Sequence, residues 1–239
     1  MIREQFAYRE TITTILADDP LHIEAAKEGM IAARTGLEHY LKADPFFQMS
    51  YAPVQASAGA PELAKQMADA SYEADVGPMA SVAATIAWAG VRAMENAGAS
   101  FGLIDNGGDI VLISERDMRV GIYAGSAPSS GKFAFIIKPQ NEVLGICTSS
   151  ATVGPSISFG IADSVTCFSR DPAKADAWAT GLCNILTPSN FDEVMKKVEG
   201  SSVFAVYAVI GDWIGRWGDL PKIVPANVSY DLITKGQAH

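Results

Sequence analysis

Near the middle of the chain, "CTSSATVGPSIS" sets Thr148, Ser149, Ser150, Thr152, Ser156 and Ser158 close together with no charged residue among them. Small hydroxyls at this density can line a tight cradle for phosphate or sugar oxygens. The plain alternative is a surface Ser/Thr loop, but Cys147, Val153, Ile157 and Phe159 could anchor the segment to a core, and Gly145, Gly154 and Gly160 let it curve. Further on, "ADAWAT" places Asp176 and Thr180 four residues apart, on one face of any helix they share. A carboxylate and a hydroxyl there could hold Mg²⁺, which takes few hard oxygen ligands from protein and the rest from substrate phosphates and water. The plain alternative is a polar helix face with Thr180 bonding back to its own helix.

Two glycine-containing stretches could complete such a site. In "DNGGDI", Asn106, Gly107, Gly108 and Asp109 read locally as a hairpin turn, although paired glycines also permit close approach to a ligand. In "VGPMAS", Gly77, Pro78, Met79 and Ser81 read as a helix start, whose free N–H groups attract phosphates and carboxylates. No lysine follows the hydroxyl segment as a Walker P-loop requires. The histidines are His22, His39 and His239, none in a setting that suits a Ser-His-Asp triad. Of the three cysteines, Cys167 and Cys183 read as small buried hydrophobes. Cys147, beside the hydroxyls, is the candidate reactive thiol, whose pKa loop amides could lower; the plain alternative, favoured by how often cysteine is buried, is an inert buried thiol.

The elements that must carry these residues follow from periodicity and punctuation. "AYRETITTILAD" reads as one strand, and "DPLHIEAAKEGMIAARTGLEHYLKAD" as a helix capped by Asp19 with Pro20 at its first position. An irregular aromatic segment, "ADPFFQMSYAPV", precedes two helices, "APELAKQMADASYEAD" and "GPMASVAATIAWAGVRAMENAG". "SFGLIDNGGDIVLISER" is strand, turn and strand; "MRVGIYAG" and "GKFAFIIKP" continue the sheet, and "NEVLGICTSS" and "IADSVTCFS" add to it. "DPAKADAWATGLCNIL" is a helix capped by Asp171, "SNFDEVMKKVEG" a short helix, and "SSVFAVYAVIG" with the Trp-containing tail ends the sheet. Helices among antiparallel-looking strands give an α+β or layered α/β class, taken as a single domain over residues 1–239, and α+β is the class carried forward.

A formal net charge of −9 with scattered Lys and Arg argues against a nucleic-acid partner. No stretch is apolar over the ~20 residues that span a bilayer, and the charged N-terminus does not read as a signal peptide, so no membrane partner and a cytoplasmic location are expected.

Taken together, "VGPMASVAATIA", "DNGGDI", "GICTSSATVGPSISFGIADSVT" and "ADAWATGLCN" resemble the ApbE superfamily of flavin transferases, and more closely a cytoplasmic ApbE-related branch; the resemblance covers most of residues 8–215. It implies a T-fold-like α+β architecture with layered helices and a mixed or antiparallel sheet. It also implies Mg²⁺ at Asp176 and Thr180 with the Ala179 carbonyl nearby, FAD cleaved there, and FMN passed to a protein Thr or Ser. Asp176 and Cys147 are then the catalytic candidates, Cys147 as a sulfur carrier. The chain lacks the superfamily's H-I-I-D-P-R-T-G segment, and has Ala151 and Pro155 where the branch has Gly and His. Two functions are therefore carried forward. One is a phosphate-containing nucleotide site, FAD or FMN, with Mg-dependent flavin transfer to a protein acceptor. The other is a non-enzymatic ligand-binding or sulfur-assimilation accessory protein. A homodimer fits either.

Overall fold

The first seventeen residues form a hairpin. Strands β1 (Ile2–Tyr8) and β2 (Thr11–Ala17) pair antiparallel, and Arg9 and Glu10 turn between them with Arg9 at φ 54°. The single strand expected from "AYRETITTILAD" is thus corrected to two. The turn carries no glycine or proline, so nothing in the alternation marks the break. In the computed structural model, residues 1–152, 160–229, 231, 233 and 234 are described.

Helix α1 (Pro20–Ala43) starts as expected, with Asp19 accepting from the Leu21 amide at 2.8 Å. The aromatic segment after it holds a short helix, α2 (Pro45–Met49). Helix α3 (Glu62–Ala74), a 3₁₀ turn at Pro78–Ser81 and α4 (Val82–Asn96) follow. Next come β3 (Phe101–Asn106), β4 (Asp109–Ser114), β5 (Met118–Gly121), β6 (Phe133–Ile137), β7 (Gln140–Ser149) and β8 (Ser164–Ser169). Helices α5 (Pro172–Ile185) and α6 (Phe191–Val198) lead to β9 (Val203–Ile210), β10 (Trp213–Gly218) and β11 (Lys222–Pro225).

Eight strands form one antiparallel sheet in the order β1-β2-β3-β4-β7-β8-β9-β10. The expectation that β5 and β6 continue this sheet is corrected: they pair with β11 in a separate three-stranded sheet. The physical reason lies in strand alternation, which makes both faces of the large sheet apolar. One face, with Ile104, Val111, Cys147, Val165 and Val206, packs against α1, α4 and α5. The other face, with Leu103, Leu112, Leu144, Ile146 and Tyr207, is covered by the small sheet through Val120, Phe135 and Ile137. Phe135 stands edge-on to Phe168 and Tyr207, at 5.0 and 5.4 Å between ring centres. The result is α+β, layered helices on an antiparallel sheet. No helix among the described residues is long and apolar enough to cross a membrane.

Candidate functional site

Helix α5 is buried on nearly all sides, and its small residues let it lie close to its neighbours. Asp171 caps it by accepting from the Lys174 amide. A side chain at Gly145 of β7 would meet Pro172, and one at Gly181 would meet the Ala74 carbonyl of α3. This close seat drives Asp176 into the protein, where it is 5% exposed. Its Oδ2 accepts from the Ala84 amide at 3.0 Å, and the Ala83 amide also points at the carboxylate. These amides belong to the first turn of α4. The nominal cap residue there, Ser81, instead donates its hydroxyl to the Pro78 carbonyl at 3.0 Å. Asp176 therefore caps α4 from another helix.

The β3–β4 hairpin meets the same turn from the sheet. Gly107 and Gly108 take φ +73° and +108° in a two-residue turn, the conformation in which glycine is favoured. Asn106 Nδ2 donates to the Ala83 carbonyl at 2.9 Å. The carboxylate of Asp109 accepts from the Thr148 amide of β7 at 3.2 Å. Asp109 as a residue keeps some surface, but its carboxyl is enclosed and lies within electrostatic reach of Asp176. Burial raises the Asp109 pKa well above the usual carboxylate range and the neighbouring Asp176 raises it further, while the Thr148 amide opposes both. Burial likewise lifts Asp176 to about 7 against the two α4 amides.

The hydroxyl segment divides. Its first members are strand residues, not loop: Thr148 and Ser149 end β7. Alternation puts Ser149 on the helix-covered face with Cys147, and Thr148 on the opposite face, where its hydroxyl lies 2.9 Å from that of Thr166. Ser149 is the hydroxyl on the side of Asp109 and Asp176. Ser150 accepts from the Thr152 amide, and Thr152 donates to Asp163, itself bound by the Gly211 amide in the β9–β10 turn. Residues 153–159, which include Val153, Gly154, Pro155, Ser156, Ile157, Ser158 and Phe159, lie outside the described residues.

The helix start at Gly77–Pro78 is packed rather than open. A side chain at Gly77 would collide with the Ser50 carbonyl, Pro78 and Ser81 are buried, and Met79 packs against the satellite core of α1 and α3. The lowered pKa expected for Cys147 is corrected. The thiol is fully buried, donates to the Pro172 carbonyl at 3.7 Å, and is pushed up by burial and then by the charge of Asp109. On α5, Ala179 is fully buried and Thr180 half-buried. Among the described residues, no group of three or more His, Cys, Asp or Glu is arranged to hold a metal ion. What Asp109 and Asp176 provide is a two-carboxylate set, each acid disfavoured as an anion, which suits a divalent cation taking its other ligands from phosphate and water. Sequence reasoning placed Asp109 among the ligand-binding residues of one site with Asp176, but not as a second enclosed carboxyl beside it, a pairing that leaves no local signal. The part played by the Ala83 and Ala84 amides is invisible to residue type.

Comparison with known proteins agrees with this architecture. The apo form of the Pseudomonas stutzeri flavinyl transferase ApbE superposes with a TM-score of 0.58 at 11% identity, covering 98% of each chain. The Vibrio cholerae flavin transferase ApbE superposes at 0.55 and 12% identity, over 91% of this chain and 96% of that one. At such identities the likeness is one of fold. Among sequences, the UPF0280 protein of Methanocorpusculum labreanum is 83% identical over 99% of this chain and 100% of its own length. That of Methanosphaerula palustris is 54% identical over 100% of both. Residues 3–200 match the family described as AbpE bacteria, and the chain belongs to that family.

Proposed function

We propose that this chain binds a phosphate-containing nucleotide of the flavin class, FAD or FMN, together with Mg²⁺, on the helix-covered face of the large sheet. The observation that carries this is the meeting of two enclosed carboxyls, Asp109 and Asp176, from a hairpin and a helix far apart in the chain. Burying two acids within reach of each other is unfavourable unless protons or a cation compensate. Asp109 and Asp176 would hold the cation, with the Thr180 hydroxyl and the Ala179 carbonyl as further oxygens on α5. When bound, the ion neutralises phosphate charge and polarises the pyrophosphate. Ser149 offers a neutral hydroxyl to phosphate oxygens. Asn106 fixes the first turn of α4 against the hairpin, so Asp109 and Asp176 keep their separation. If transfer takes place, an acceptor hydroxyl gives its proton to solvent and its oxygen bonds to the phosphorus of the FMN half of FAD as the pyrophosphate bond breaks and AMP leaves.

A second reading, binding without transfer, has its own support. The Asp176 carboxylate already caps α4, which gives it a structural task independent of any metal. One experiment separates the two. FAD binding is measured by fluorescence with Mg²⁺ and with EDTA, and the mixture is then analysed for AMP. Mg-dependent binding with AMP release supports transfer; Mg-dependent binding without AMP supports the binding protein. Binding that ignores Mg²⁺ and survives Asp109→Asn would remove the site from these residues.

A further inference from the structure

Behind the candidate site, on the opposite face of the sheet, lies a third buried carboxylate, one that the site chemistry does not use. Asp105 is adjacent to Asn106 in β3, so alternation turns its side chain away from α4. Both of its oxygens are engaged. Oδ1 accepts from the Gly108 amide at 2.9 Å, across the glycine turn. Oδ2 accepts from the hydroxyl of Thr234 at 2.6 Å, and the Thr234 backbone amide points at the same carboxylate. The Thr234 hydroxyl also lies 2.8 Å from that of Thr14 in β2, the strand paired with β3. Thr234 is 8% exposed, and with Gln5, Phe6, Ala7, Ile12, Thr13 and Thr14 it lines a partly open pocket of about 170 Å³.

We infer that Asp105 and Thr234 are positioning residues: Thr234 holds Asp105 so that it fixes the Gly107–Gly108 turn and, through it, the placement of Asn106 and Asp109. The path is short and covalently continuous on the site side. Thr234 orients the Asp105 carboxylate, Asp105 holds the Gly108 amide, and the next residue is Asp109, which holds the Thr148 amide. Two successive glycines at positive φ have wide conformational freedom, so hydrogen bonds beyond the Asn106–Asp109 strand pair help to fix the shape of the turn. A carboxylate accepting from both the turn and Thr234 supplies them. For ligand binding this inference rests on the reading above; for the shape of the turn it does not.

The test uses the full chain and three variants: Thr234→Val, which keeps the shape and removes the hydroxyl; Thr234→Ser, which keeps the hydroxyl; and Asp105→Ala. Amide exchange at Gly108 and Thr148 is followed by NMR, and FAD binding with Mg²⁺ by fluorescence. Thr234→Val should speed exchange at both amides roughly tenfold, while core amides such as Ile104 hold their rates. It should weaken FAD by about fivefold, an effect of the order expected for one lost hydrogen bond. Thr234→Ser should restore both, and Asp105→Ala should exceed Thr234→Val at Gly108. Unchanged exchange in Thr234→Val and Asp105→Ala overturns the inference, even if the wild type binds FAD well. Accelerated exchange confined to these amides, in a protein that binds no FAD, upholds the positioning role and removes the nucleotide reading instead. Acceleration spread evenly over core amides would assign the bonds to general stability and overturn the inference.

Discussion

Replacing Asp176 with Asn should make the metal-free protein more stable at pH 8, not less. The two side chains are nearly the same shape, and an Asn oxygen can still accept from the Ala84 amide that Oδ2 now accepts at 3.0 Å. What disappears is an enclosed negative charge near Asp109. The folded protein lifts the Asp176 pKa from 3.8 to about 7, chiefly by burial. The folded state therefore binds this proton more tightly than the unfolded chain. Stability from this group is greatest below the unfolded value and is lost as pH rises through the folded one. The displacement corresponds to at most about 4 kcal/mol. Because Asp109 shares the strain of the pair, about 2 kcal/mol is the reasonable share to recover on neutralising Asp176. For a chain of this size that is about 4–8 °C in Tm. Thermal unfolding followed by circular dichroism in EDTA, at pH 5, 6, 7 and 8, measures it. The wild-type and Asp176→Asn midpoints should lie closest at pH 5, where part of the loss is already present, and separate further to pH 7, with Asn higher and the gap levelling off toward pH 8. Saturating Mg²⁺ should raise the wild type at pH 8 and leave Asp176→Asn unmoved. Parallel curves, with Asn lower throughout, would show that Asp176 acts only as an α4 cap and would refute the reasoning.

In calorimetry, Mg²⁺ binding should be lost in both Asp109→Asn and Asp176→Asn and weakened several-fold in Thr180→Ala; an unchanged affinity in Asp109→Asn would separate it from Asp176. Iodoacetamide should label none of Cys147, Cys167 and Cys183 at pH 8 until the protein unfolds, since all three are buried, and mass spectrometry of digests would reveal fast labelling of Cys147 if a reactive thiol exists. Ser149→Ala should weaken FAD more than Thr148→Ala, because the Thr148 hydroxyl faces Thr166 across the other side of the sheet; fluorescence titration with equal losses would count against that division. Gly77→Ala should lower Tm by several degrees, because its methyl group would collide with the Ser50 carbonyl; a midpoint within a degree of wild type would show that the segment can shift.

Much of the frame was legible where a residue type has one dominant structural use. Asp19-Pro20 and Asp171-Pro172 each mark a helix start, and both side chains cap as expected. Asn106-Gly107-Gly108 marks a hairpin turn. Features that depend on what lies across space were not legible. Arg9-Glu10 turns a hairpin without a turn residue, and β5 and β6 alternate like any other strands although they belong to another sheet. At the site, the shared helical face of Asp176 and Thr180 could be read from spacing. The hydroxyls could not be placed, because taking Thr148 and Ser149 as loop residues hid the strand alternation that sends them to opposite faces. Cys147 looked reactive beside polar residues, but its neighbours in space, α5 and the sheet, enclose it.

The strand order also bears on how the chain reaches this state. β2 and β3 are neighbours in the large sheet, yet roughly eighty residues, including α1, α3 and α4, separate them in sequence. Strands β1 and β2 leave the ribosome before β3, so the inner edge of β2 finds no partner until β3 emerges. At ~5–20 residues per second of synthesis, that wait is about 4–16 s. During it the paired strands expose the Ile12–Leu16 segment with open hydrogen-bonding groups, a template for wrong pairing. Closing so long a loop is entropically slow, so refolding from denaturant should be slower than for a meander of the same strands, and more sensitive to protein concentration.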